Sequence, residues 1–211
     1  MKQHGTGVML TVAMFGTAAA AHGGVTIVQG PTAPSYAMNL NFDEAGGPTG
    51  KVEPTAWLAT YGITIEAGTG TEFVDDFDDA NGGWGLGDGN SFFGNFGVFM
   101  TFTDDLTEMS FDAWDPSGPQ TPFGGGLGVF VLNDGVEVAN AFVTPAWGGV
   151  GDPAFNITTD GGMVFDEVRV LGYGFAPTTY VDNLSWNVVP APGCIAMLGT
   201  AFLLGRRRRT A

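Results

Sequence analysis

Thr107-Glu108-Met109-Ser110-Phe111-Asp112-Ala113-Trp114 alternates residue by residue. Successive side chains of an extended strand point to opposite sides, so Met109, Phe111 and Ala113 share one face and Glu108, Ser110 and Asp112 the other. This is the pattern of a half-buried strand. Its neighbours read the same way. Val129 to Leu132 and Val136 to Phe142 flank Asn133-Asp134-Gly135, a compact hairpin signal. Ser91 to Thr103, Phe155 to Thr158, Met163 to Leu171 and Thr179 to Val188 are further strand candidates, with Ala37 to Phe42 and Tyr61 to Glu66 ahead of them. Glycine supplies 35 of the 211 residues, Phe, Val, Thr and Trp are abundant, and helix-forming runs are missing. Many short strands separated by glycine and proline predict a single all-β domain over residues 22–188, a sandwich or jelly roll. No internal repeat supports a propeller or solenoid.

The strand Tyr180-Val181-Asp182-Asn183-Leu184-Ser185-Trp186-Asn187-Val188 holds one anomaly. Period two puts Asp182 on the apolar face with Tyr180, Leu184, Trp186 and Val188. A lone buried carboxylate is costly, so it needs a cation, strong donors or an exit to solvent. Cationic side chains are scarce. Of seven basic residues, five are Lys2 and Arg206, Arg207, Arg208 and Arg209, which leaves the body Lys51 and Arg169 against all 22 acidic residues, a net charge of −20. Calcium, which takes carboxylate, amide and carbonyl oxygens in a loose shell, is one partner for such a group. Backbone donors at a strand edge are the other. The charge argues against nucleic acid and anionic lipid as partners, since both demand a positive surface. A solvated acidic surface accounts for the bulk of the carboxylates as readily as cation binding does.

The acidic, glycine-rich segment from Asp75 to Asn90 is a second cation candidate. It fails the EF-hand template, which wants glycine at the sixth position and Glu at the twelfth. A solvated loop is the default reading. Trp84 and the run Phe92-Phe93-Gly94-Asn95-Phe96 offer an apolar or sugar-stacking surface, or else simply core. Catalysis is limited by what is missing. Histidine occurs only at His4 and His22, and cysteine only at Cys194, so the body has no Ser-His-Asp or Cys-His device and no histidine-based zinc site. No catalytic residue is assigned and no enzyme activity is expected.

Both ends read as addresses. Lys2 precedes the apolar stretch Val8 to Phe15 and the small residues Ala18 to Ala21, which predicts a secretory signal peptide over residues 1–21, cut before His22. At the other end Val189-Pro190-Ala191-Pro192 precedes an apolar run from Gly193 to Gly205 and the cluster Arg206-Arg207-Arg208-Arg209. A short greasy segment followed by a basic block stops in a bilayer with its positive end in the cytoplasm. This order of motif, span and arginines, over residues 189–211, resembles the PEP-CTERM sorting signal. The family usually has Glu where this chain has Ala191. The resemblance implies a transmembrane sorting helix, an exosortase-like processing enzyme as partner, transient anchoring in the inner membrane and a final location at the cell surface or outside it.

A second resemblance concerns the body. Asn41-Phe42-Asp43-Glu44 and Tyr180-Val181-Asp182-Asn183-Leu184 look like the first and last strands of carbohydrate-binding-module-type jelly rolls. In several such families these strands share a structural calcium, which implies Asp43, Glu44 and Asp182 as ligands here. The expectation is therefore a non-catalytic exported surface or extracellular-matrix protein sorted by its tail. The alternative is a calcium-assisted polysaccharide-binding module at the cell surface. Two or three coplanar exposed aromatics on one face would favour the second.

Overall fold

The computed structural model describes residues 19–22, 24–44, 47, 50–51, 55–69, 72–75, 89–115, 126–143, 152–173 and 178–189, without side chains at 19–22, 50–51, 55–56, 73 and 75. Residues 1–18 of the expected leader, most of the acidic loop and the expected tail from Pro190 onward lie outside these residues, whereas Ala19–Ala21, expected to end the leader, are described and continue into His22 as a strand. Among the described residues no helix is long and apolar enough to cross a membrane.

The described chain is all-β apart from one helical turn, α1 (Thr55–Leu58), continued by a 3-10 turn at Ala59–Tyr61. Its strands are β1 (Ala19–His22), β2 (Val25–Gly30), β3 (Met38–Leu40), β4 (Gly50–Lys51), β5 (Ile63–Ala67), β6 (Glu72–Asp75), β7 (Ser91–Asn95), β8 (Val98–Trp114), β9 (Leu127–Asn133), β10 (Val136–Val143), β11 (Ala154–Thr159), β12 (Phe165–Gly172) and β13 (Thr178–Val188). All pairings are antiparallel.

The strand that contains Thr107 to Trp114 organises the fold. β8 is 17 residues long and belongs to two layers. Its first half pairs with β5 and β12, and β12 continues to β9 and β10. Its second half pairs with β11 and β13, which carry β2 and β1 on one side and β3, β7, β6 and β4 on the other. The crossing falls at Thr103-Asp104-Asp105, three consecutive exposed residues where alternation stops. There the pairing with β12 jumps from Thr101↔Glu167 to Leu106↔Phe165. A strand that bends out of one sheet into another through such an irregularity makes the corner of a sandwich. The result is a β-sandwich of the jelly-roll type.

One continuous core fills the space between the layers. Met109, Phe111 and Ala113 point inward as expected, with Phe111 stacked on Phe155 at 5.3 Å and 13°. Trp186 meets Phe102 from the opposite layer edge-to-face at 5.4 Å. The hairpin at Asp134-Gly135 is also as read: both residues have positive φ, 50° and 74°, the two-residue turn that matches strand twist. Ser91 to Thr103 is not one strand. It breaks at Phe96 and Gly97, with φ of 60° and 110°, and a Cβ on Gly97 would sit 2.4 Å from Leu171 Cδ2. Strands β1, β2, β4 and β6 escaped the sequence reading.

Candidate functional site

The largest correction concerns Asp182. Across β13 and β8 the register runs Asp182↔Asp112 and then Ser185↔Ser110, so that Asn183 and Leu184 together oppose the single residue Phe111. This is a β-bulge, and its extra residue is Asn183, at φ 51°. The bulge flips the alternation. Val181, Leu184 and Trp186 face the core, whereas Asp182 leaves it and lies opposite Asp112 on the outer side of the layer. Asp182 is still only 1% exposed. Two carboxylates directly across a strand pair repel, and Asn183 stands between them. Its backbone N–H donates to Asp182 Oδ1 at 2.6 Å and its Nδ2 donates to Asp112 Oδ2 at 3.0 Å.

The bulge sits where the other neighbour of β13 changes from β7 to β3. Above it the segment from Pro31 to Ala37 crosses the outer face and is tied down at several points. Ser110 Oγ donates to the Pro34 carbonyl, Tyr36 N–H to Ser185 Oγ at 2.6 Å, Tyr36 OH to Asn156 Oδ1 at 2.7 Å and Ala37 N–H to Asn187 Oδ1 at 3.0 Å. This cover explains why Ser110, expected on the solvent face, is fully buried. Between the segment and the strands lies a cavity of about 360 Å³, with Ser35, Asn39, Asp112, Asn183 and Ser185 supplying polar groups.

The three carboxylates expected to share calcium do not form a metal-holding group. Asp43 Oδ1 accepts the Asn90 N–H at 2.9 Å, Glu44 Oε1 accepts the Asn41 N–H at 2.9 Å, and Asp182 is engaged as above. Each carboxylate thus takes a backbone donor. Among the described residues no three His, Cys, Asp or Glu side chains are placed to hold a metal.

A second surface lies on the outer side of the layer β10-β9-β12-β8-β5. One cross-strand row there runs Asn140, Phe130, Arg169, Phe99 and Glu66. The next holds Phe142, Gly128 and Leu171. Phe142 and Tyr173 are 64% and 49% exposed. Phe142 meets Phe130 edge-to-face at 5.6 Å and Tyr173 at 5.6 Å with 49° between the rings, so the three rings are clustered but not coplanar. Gly128 forms the floor. A Cβ there would lie 2.8 Å from Tyr173, 2.9 Å from Phe130 and 3.2 Å from Phe142. Polar groups flank the rings: Asn140 Nδ2 donates to Glu137 Oε1 at 2.6 Å, and Arg169, paired with Glu167, lies over the Phe99 ring at 5.3 Å. Burial, and then the Glu137 charge, push the Tyr173 hydroxyl pKa up, so the phenol stays a hydrogen-bond donor.

The sequence reading named none of these aromatics as a surface, although the signal was present. Phe130 sits between Val129 and Val131, and Phe142 follows Ala141, so both fall out of phase with the core positions of their strands. Of the aromatics that were named, Phe92 is core, Phe93 packs on Tyr180 at 5.1 Å and Phe96 is 51% exposed; Trp84 lies outside the described residues.

No protein-family model matches this chain, and no curated protein matches it. Two solved structures resemble it. One is the carbohydrate-binding module TmCBM61 in complex with β-1,4-galactotriose, at 10% identity over 71% of this chain and 99% of that one, with a TM-score of 0.31. The other is CsCBM6-3 from Clostridium stercorarium in complex with cellobiose, at 14% identity over 75% and 98%, with a TM-score of 0.25. At these values nothing about the ligand of this chain follows from the likeness.

Proposed function

We propose that this chain is a non-catalytic, exported glycan-binding protein that holds a single neutral polysaccharide chain on the outer face of the β10-β9-β12-β8-β5 layer. The observation that carries the proposal is the cluster Phe130, Phe142 and Tyr173 over Gly128, bordered by Asn140, Glu137 and Arg169. A sugar ring presents apolar C–H faces and a rim of hydroxyls, and a site for it combines aromatic faces with a few fixed polar groups. The rings are inclined to one another, so the coplanar set expected of a sugar-binding face is not met, and the arrangement suits a twisted, separate chain better than a flat crystalline surface. A body charge of −20 disfavours polyanionic glycans such as polyuronates.

Export rests on the leader ending at Ala21 and sorting on the tail from Val189 to Arg209, with an exosortase-like enzyme as the processing partner. On this reading the protein works at the cell surface or in the extracellular matrix, and its tail delivers it there. The test is affinity electrophoresis of the full-length protein in gels containing soluble β-glucan, galactan, mannan or a polyuronate. Retardation is expected with at least one neutral polymer, and Phe142→Ala/Tyr173→Ala should weaken it at least tenfold while thermal unfolding stays near wild type. Retardation by none of the neutral polymers, or unchanged retardation of the double variant, refutes the reading.

A further inference from the structure

We infer that the cavity beneath the Pro31–Ala37 segment is a second glycan site, so that the molecule bridges two polysaccharide chains. This rests on the glycan-binding reading above. The two sites lie on opposite outsides of the sandwich. Asp112 alternates with the core residues Phe111 and Ala113, and Phe130 with the core residues Val129 and Val131, so the two side chains leave the shared core in opposite directions.

The chemistry of the cavity suits a neutral polyol. Its polar groups already form a network, with Asn183 Nδ2 donating to Asp112 Oδ2, Ser35 Oγ to Asn39 Oδ1, Asn39 Nδ2 to the Tyr36 carbonyl and the Tyr36 N–H to Ser185 Oγ, and a polyol, whose hydroxyls each donate and accept, can join such a network. Pro31, Ala33 and Pro34 supply apolar contact for ring C–H groups. A volume of about 360 Å³ is at the small end of the ~300–1,000 Å³ typical of ligand pockets, which fits one or two sugar units and not a long run of chain. The cavity is also built in advance. Its cover is tied to Ser110, Asn156, Ser185 and Asn187, and its floor is fixed by the Asn183 bulge, so little ordering remains for the ligand to impose.

Two sites on a rigid body, facing opposite ways, cannot both grip one short stretch of chain. They join separate chains, and each bond raises the effective concentration for the next.

The experiment mixes the purified full-length protein with the soluble polysaccharide that retards it and follows particle size by light scattering against protein-to-polymer ratio. Wild type should give large particles near a middle ratio and fewer at protein excess. Ala33→Trp, which fills the cavity from its cover, should abolish the particles yet keep at least a third of the gel retardation. Asp112→Asn, which preserves shape, should reduce particle formation at least fivefold. Phe142→Ala/Tyr173→Ala should also abolish particles and keep a weak residual retardation that Ala33→Trp then removes. Particles formed equally by wild type and Ala33→Trp overturn the second site. Complete loss of binding in Phe142→Ala/Tyr173→Ala overturns it as well, while leaving the aromatic face intact as the single site. Loss of all retardation in Ala33→Trp alone overturns the bridge and transfers binding to the cavity.

Discussion

Replacing Asn183 tests the feature that separates the structure from simple alternation. Asn183→Gly removes the Nδ2 bond to the Asp112 carboxylate, and a hydrogen bond to a charged group is worth about 1.5–3 kcal/mol. Glycine adopts φ 51° without a Cβ penalty, so no backbone strain adds to that loss. Asn183→Ala loses the same bond and adds about 1–2 kcal/mol for a Cβ in the left-handed region. The alanine variant should therefore lie about 2.5–5 kcal/mol below wild type and the glycine variant about 1.5–3 kcal/mol below it. At about 2–4 °C per kcal/mol for a domain of this size, the midpoint falls by about 5–20 °C and 3–12 °C respectively.

Urea and thermal unfolding of the three proteins measure both, and the order matters more than the sizes. In an uninterrupted strand glycine is worse than alanine by about 0.5–1 kcal/mol. Alanine equal to or better than glycine at position 183 would therefore refute the bulge and return Asp182 to the core face. Adding Asp112→Ala to each variant completes a cycle. The loss at Asn183 should shrink by at least 1 kcal/mol in that background, because the bonded carboxylate is gone.

Other consequences are open to direct test. Phe155→Ala, which removes a ring stacked on Phe111 in the core, should cost about 3–5 kcal/mol, whereas Phe142→Ala on the surface should stay within about 0.5 kcal/mol by the same unfolding assay. Gly128→Ala forces apart the rings of Phe130, Phe142 and Tyr173, and should lower polysaccharide retardation at least threefold with the far-ultraviolet spectrum unchanged. Asp43→Asn and Glu44→Gln keep their acceptor oxygens for the Asn90 and Asn41 amides, so neither should alter any calcium-induced shift in midpoint; a calcium shift abolished by Asp43→Asn would support the metal reading. Burial, only partly offset by the Asp134 N–H, raises the Asp166 pKa, with the charges of Asp134 and Asp105 adding to the rise. A raised folded pKa favours the fold below the unfolded value of about 3.9 and loses that benefit as pH climbs through the folded value. Asp166→Asn, which keeps the acceptor but cannot ionise, should thus gain on wild type as pH rises from 3 to 7, and a difference that is flat or falls with pH contradicts this.

The residues that were legible in the sequence are those whose neighbours are close in the chain. Met109, Phe111 and Ala113 announce an inward face because period two is a local property, and Asp134-Gly135 announces its turn because the backbone angles belong to those two residues. Asp182 was misread because its direction depends on a partner seventy residues away: only pairing with β8 reveals that Asn183 is the extra residue. Ser110 looked solvent-facing for a similar reason, since the segment covering it comes from Pro34, far upstream.

The aromatic surface is an intermediate case. Phe130 and Phe142 could have been flagged from phase alone, as large rings on the polar parity of otherwise regular strands. Gly128 and Tyr173 could not, because they join the cluster only through the β9–β12 pairing. The general lesson is physical. A local pattern locates the core, because burying apolar surface is what the pattern encodes, whereas a binding surface is an arrangement among strands. Its first trace in a sequence is a residue that breaks its own strand's rule without harming the fold. Phe142 breaks it by exposing a ring, Asn183 by turning the backbone left-handed, and each marks one of the two surfaces assigned here to glycans.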